Sequence, residues 1–152
     1  MSPTDKTPVD RSPSDRSPTD HTGLRVMGLD ECLERIVATP IGRFAFVLDA
    51  EIAVLPVQHV TDGVDVCFRT AGDSKIEAAL DHDRVAFEVD SFDATTRTGW
   101  SVLVQGTAVL VEDPAEIRAL ESRAGRPWVR SLARGHRWIR IRSQSVTGRE
   151  LA

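Results

Sequence analysis

Tyrosine is absent from this chain of 152 residues, and cysteine and methionine occur only twice each. Cys32 and Cys67 stand far apart, with no Cys-x-x-Cys or His/Cys pattern around them. That spacing argues against a zinc site or a disulfide and for two reduced, buried thiols. No apolar run approaches the roughly 18 residues of a bilayer-crossing helix. The first twenty residues lack the apolar core of a secretory signal, so a cytoplasmic protein is expected. His59, His82 and His136 lack metal-ligand spacing, and no nucleophile-elbow sequence accompanies the serines. Metal-centred and serine-hydrolase chemistry are therefore not expected.

What remains is a soluble composition, 41% hydrophobic and 28% charged, of a length suited to one domain. The net charge of −4 is unevenly spread. Residues 113–152 carry nine arginines against four acidic residues, and the rest of the chain is acidic. A polyanion partner is one reading of this asymmetry; pairing of the basic quarter with the acidic remainder, or with a second subunit, is the favoured one.

Residues 2–21 repeat with period five as SPTDK, TPVDR, SPSDR and SPTDH. Proline at every fifth position opposes helix and ladder alike, so residues 1–23 read as a disordered Ser/Thr-Pro-x-Asp tail. The domain then spans residues 24–152. Leu29, Leu33, Ile36 and Val37 recur at helical spacing, with Asp30 as the expected cap and Pro40 as the stop. Apolar, β-branched runs follow: GRFAFVLD, EIAVLPVQHV, DGVDVCFRT, RVAFEVDSF, WSVLVQGTAVLVED and finally HRWIRIRSQSVTG. Gly106 suggests a bulge in the longest of them. DPAE at 113–116 has the form of a capping box opening a second helix. About six strands and three short helices point to a mainly β fold, an antiparallel β-barrel with helical additions.

The stretch RTAGDSKIEAAL, residues 69–80, joins a strand to a short helix. Arg69, Thr70, Ser74 and Lys75 would together offer a guanidinium, hydroxyls, an ammonium and free helix-start amides, a suitable set for a phosphate. SKIE is equally a capping box that satisfies the helix start internally, with Asp73 and Glu77 offsetting the two cations. Both readings stand on spacing alone.

The blocks PIGRFAFVLDAEIAVLPVQHVTDG, VCFRTAGDSKIEAALDHDRVAFEVD, TGWSVLVQGTAVLVED and WIRIRSQSVTGREL, in that order, carry a resemblance over about residues 28–151. The chain resembles the pyridoxamine 5'-phosphate oxidase-like family of FMN-binding split β-barrels. The resemblance implies a flavin (FMN) or deazaflavin-dependent oxidoreductase, a homodimer with its cofactor in a cleft between subunits. It places Arg69 and Thr70 at the phosphate or ribityl chain, and Ser74 and Lys75 at the phosphate. Val57 and Gln58 would touch the edge of the ring, and Trp100 and Ser101 would reach the cofactor from a neighbouring strand or subunit. The chain departs from the pattern in carrying Asp73 and in offering no tyrosine for ring contacts. The C-terminal Arg/His recognition pattern for vitamin B6 substrates is not matched, so B6 chemistry is not expected. Arg123, Arg126, Arg130, Arg134 and Arg137 would suit the polyglutamyl tail of a deazaflavin. Two further readings are a non-catalytic split-barrel sensor or store of a cofactor or haem, and nucleic-acid binding through Trp128, Trp138 and the arginines, which the net acidity opposes.

Overall fold

The computed structural model describes residues 18–71, 76, 80 and 84–151. The strands are β1 (Arg25–Met27), β2 (Ile41–Leu48), β3 (Glu51–Asp62), β4 (Asp65–Thr70), β5 (Arg84–Asp93), β6 (Thr98–Val111) and β7 (Arg137–Leu151). Helix α1 (Leu29–Ala38) precedes β2; α2 (Pro114–Ala124) and a 3-10 turn (Arg130–Ala133) lie between β6 and β7. The order β7-β4-β3-β2-β5-β6 closes on itself through β6 and β7, a six-stranded antiparallel barrel with β1 appended to the far end of β7. This is the split β-barrel that the resemblance implied.

Period-two alternation explains the barrel wall. Along β2, Phe44 and Phe46 are buried while Arg43 and Val47 are exposed; along β5, Val85, Phe87 and Val89 point inward. These side chains meet Val66, Phe68, Val102, Val104, Ile139 and Ile141 in one core. Burial of each large apolar side chain contributes roughly 1.5–3 kcal/mol. β6 bulges between Gln105 and Gly106, as Gly106 suggested. A Cβ there would lie 2.0 Å from the Arg142 carbonyl oxygen, so no larger residue fits the curl.

The helices differ from expectation in detail. α1 begins at an N-cap of Gly28 with no side-chain cap, in place of Asp30. Its buried face is Cys32, Leu33 and Ile36, while Leu29 and Val37 are exposed, because α1 leans on β7, β3 and β6 with one narrow stripe. α2 is capped by Asp113, which accepts from the Glu116 amide at 3.3 Å. The Glu116 carboxylate does not complete the box; it lies 3.6 Å from Arg140, which also pairs with Asp62 and Asp65.

α2 covers the outside of the barrel through a second apolar cluster of Leu120, Cys67, Val111 and Trp138. β4 is consequently buried on both faces, its inward side by the core and its outward side by α2. Cys67 and Cys32 are free thiols, and burial pushes Cys67 up to about 11.

The sequence places the tail boundary at residue 24. Among the described residues hydrogen bonding starts earlier, because residues 18–23 turn back against β1. Asp20 accepts from the Thr22 and Leu24 amides and pairs with Arg149 at 3.1 Å. The Thr22 hydroxyl and these other donors hold the Asp20 carboxyl down at about 2. Among the described residues, no helix is long and apolar enough to cross a membrane.

Candidate functional site

The barrel is split where β3 leaves β4. Their pairing runs from Asp62↔Asp65 to His59↔Phe68 and stops there. β3 continues alone with β2, whose last register pairs are Gly42↔Val57 and Ile41↔Gln58. Arg69 and Thr70 continue with β7, opposite Trp138 and Arg137. Strand divergence therefore puts Val57 and Gln58 on one side of an opening and Arg69 on the other.

The opening is a cleft of about 340 Å³. Ile41, Pro56, Val57 and Gln58 form its barrel wall, and Arg69 also lines it. Trp128, Val129 and Leu132, from the segment after α2, complete the lining. Most of the lining residues are apolar; Gln58 and Arg69 are the polar ones.

Arg69 has a side chain only 3% exposed. Its Nη1 donates to the Gly125 carbonyl at 3.0 Å and lies 3.9 Å from Glu121, while the guanidinium stacks on Trp138. Burial lowers the basicity of Arg69, and the Glu121 charge works the other way. Glu121 is itself well supplied with donors. Burial would raise its carboxyl, but hydrogen bonds from Trp138 and His136, with the charges of His136 and Arg69, bring it below the ordinary carboxylate range. His136 bridges Glu121 and the Leu132 carbonyl, so the 3-10 turn, α2 and Arg69 belong to one polar network.

Gln58 faces the segment after α2. Its Nε2 donates to the Arg126 carbonyl at 3.2 Å, and its Oε1 accepts from the Trp128 amide at 3.0 Å. His59, the next residue, turns inward. Its Nε2 meets the Ile36 carbonyl at 2.9 Å, its ring packs edge-on to Phe87, and burial lowers its basicity. It is a core histidine, outside the cleft lining.

The other site candidates separate. Thr70 is buried at the end of β4. Trp100 and Ser101 lie on β6 opposite Ser91 and Asp90. Trp100 stacks with Arg35 at 5.0 Å and lines a different depression, of about 390 Å³, with Thr98, Gly99 and Glu150. Ser74 and Lys75 lie outside the described residues; Ile76 is helical and packs with Leu80 against the core. Of the arginines considered for an anionic tail, Arg123 is engaged with the Thr61 carbonyl and Asp62.

Trp128, Val129 and Leu132 were not among the cofactor contacts expected from the sequence, where Trp128 figured only as a stacking residue for nucleic acid. Their segment has no period-two or helical pattern. The available signal was an aromatic residue flanked by Pro127 and Val129 in an otherwise arginine-rich connection.

A family model described as pyridoxamine 5'-phosphate oxidase matches residues 29–150. The uncharacterized protein Rv0080 of Mycobacterium tuberculosis is 35% identical over 105 residues, covering 66% of this chain and 68% of that protein. The FAD binding protein of Mycobacterium smegmatis superposes with a TM-score of 0.69 at 30% identity, covering 84% of this chain and 99% of that one. An FAD-binding protein of Mesorhizobium loti shares the fold with a TM-score of 0.68 at 24% identity, over 85% and 99% of the two chains.

Proposed function

The chain belongs to the pyridoxamine 5'-phosphate oxidase family, and from that premise we propose that it is a flavin-dependent oxidoreductase, with FMN as the cofactor and the split between β3 and β4 as the site. The observation that carries this reading is the convergence of Val57, Gln58 and Arg69 on one cleft. Its residues fit the group. A planar ring system needs apolar walls, which Ile41, Pro56, Val57 and Trp128 offer, and an anionic or carbonyl-rich part needs a donor, which Arg69 offers. The FAD-binding relative of similar fold supports a flavin in general.

A bound flavin would supply the hydride or electron transfer. The protein's part is to bind and orient. Arg69, held by Gly125, Glu121 and Trp138, presents a fixed positive charge that needs little reorganisation on binding. The apolar wall excludes water from one side of the cleft. Thr70, Ser74 and Lys75 belong to the same proposal as phosphate contacts, and Trp100 and Ser101 as contacts made across a subunit interface.

The homodimer is part of this reading. Ile52 and Val54, 78% and 56% exposed, share the outward face of β3 with Pro56 and Gln58, so an apolar strip leads directly into the cleft. A second copy covering that strip would also enclose the cleft. Sedimentation of the wild type against Val54→Asp tests it, with a dimer expected for the first and monomer for the second.

The test of function is the visible spectrum and mass of ligand released from the purified protein, with melting temperatures in added FMN, FAD and a deazaflavin. A yellow protein stabilised most by FMN is expected. Colourless protein stabilised by none of them refutes the proposal. Reduction by a nicotinamide donor and reoxidation through many turnovers separates an oxidoreductase from a carrier or sensor.

A further inference from the structure

Gln58 is engaged at both ends of its carboxamide by the chain itself. It donates to the Arg126 carbonyl and accepts from the Trp128 amide. A primary amide has one carbonyl and one NH2 group, and here each already faces a backbone partner. The two bonds act like one rung of a ladder between β3 and the segment after α2. They fix the backbone of Trp128 at the edge of the cleft.

The indole itself is differently placed from the other two tryptophans. Trp138 is 2% exposed, with its Nε1 donating to Glu121 at 2.8 Å, and Trp100 stacks with Arg35. Trp128 is 65% exposed, on a backbone tied to Gln58, and lines the same cleft as Pro56 and Val57. A large aromatic surface held beside an apolar wall is the arrangement that a planar ring fills by stacking.

Resting on the flavin-site reading above, we propose that Trp128 is a ring-stacking contact of the cofactor, and that Gln58 is a positioning residue that sets Trp128 instead of touching the ring edge. The role inferred for Gln58 from family resemblance thus passes to a residue seventy positions further along the chain.

A double-mutant cycle tests this, with FMN and FAD as probes in equilibrium dialysis and the fluorescence of bound flavin as a second readout. Trp128→Ala should weaken flavin binding about tenfold and relieve part of the fluorescence quenching that stacking causes. Trp128→Phe should restore most of the affinity. Gln58→Ala should weaken binding to a similar extent, yet add little in the Trp128→Ala background, because both changes remove the same contact. The exposed Trp128 can be replaced without disturbing the core, and melting curves of the ligand-free variants verify that each is folded. If Trp128→Ala leaves affinity and quenching as in the wild type, the inference is overturned while the flavin site stands. It is also overturned if Gln58→Ala causes its full loss in both backgrounds, which would make Gln58 an independent contact. If the wild type takes up neither flavin, the site assignment falls and the stacking role with it.

Discussion

The guanidinium of Arg69 lies over the indole of Trp138, with its carbon 5.3 Å from the ring centroid. The two residues are register partners across β4 and β7, so the stack is set by strand pairing. An arginine this deeply buried needs compensation. It finds it in the ring face, the Gly125 carbonyl and the more distant Glu121. The result is a fixed cation at the edge of the cleft where β3 and β4 part.

Arg69→Lys keeps the charge but loses the planar fork and its stacking. The ligand-free protein should lose roughly 1.5–3 kcal/mol in a urea melt, the size of a hydrogen bond to a charged group. FMN affinity measured by calorimetry should fall about tenfold or more, for loss of a charge-assisted contact. Unchanged affinity would remove Arg69 from the site.

Gly148 is enclosed where β1, α1 and β7 meet. A Cβ there would stand 2.6 Å from the Cys32 sulfur and 3.1 Å from Met27 Cβ. Gly148→Ala should destabilise the protein by about 1–3 kcal/mol through overpacking. Adding Cys32→Ala should recover part of that loss, because the smaller side chain relieves the same clash. Thermal melts of the two single variants and the double variant decide it; strictly additive losses would contradict it.

Asp49 and Ala50 form the two-residue turn of the β2–β3 hairpin, with φ of 52° and 60°. Both stand in the left-handed region, where a Cβ carries strain and turns of this kind favour glycine at the second place. Ala50→Gly should therefore stabilise the fold by up to about 1 kcal/mol, the relief of the strain exceeding the entropy of a freer unfolded chain. A lowered melting temperature would show the reverse balance.

Glu88 and Asp90 share Arg43 on the outer face of the barrel, at 3.3 and 3.1 Å. Burial, and then the hydrogen bond with and charge of Asp90, raise the Glu88 carboxyl from 4.5 to about 7 against the pull of Arg43. The folded state thus holds this proton more tightly than the unfolded chain. Its contribution to stability is full below about 4.5 and is lost as the pH rises through about 7. Glu88→Gln removes the charge, so it should gain stability relative to the wild type between about pH 5 and about pH 8. Urea midpoints at the two pH values give the comparison. A constant difference would place the effect elsewhere.

Much of the wall was legible in the chain. Alternation in GRFAFVLD and RVAFEVDSF marked strands that the structure contains, Gly106 marked the bulge, and Asp113 marked the start of α2. The cleft was legible in part. The family resemblance of LPVQ and FRT singled out Val57, Gln58 and Arg69, and the fold brings these three residues to one cleft. Trp128 was not legible as a cleft residue, because its segment has no periodicity and takes its place from hydrogen bonds to Gln58. The two-sided burial of β4 was equally hidden, since it depends on where α2 comes to rest.

The sequence by itself determined which segments form the six barrel strands, where the longest strand bends and where α2 starts. These are local choices, governed by side-chain alternation, by the space around one glycine and by one capping carboxylate. Tertiary structure alone decided that β3 leaves β4 after His59, that Arg69 stacks on Trp138 and that Gln58 holds Trp128. Closure of the barrel brings these distant partners within hydrogen-bond or stacking reach, and no local pattern encodes a distance across a closed sheet.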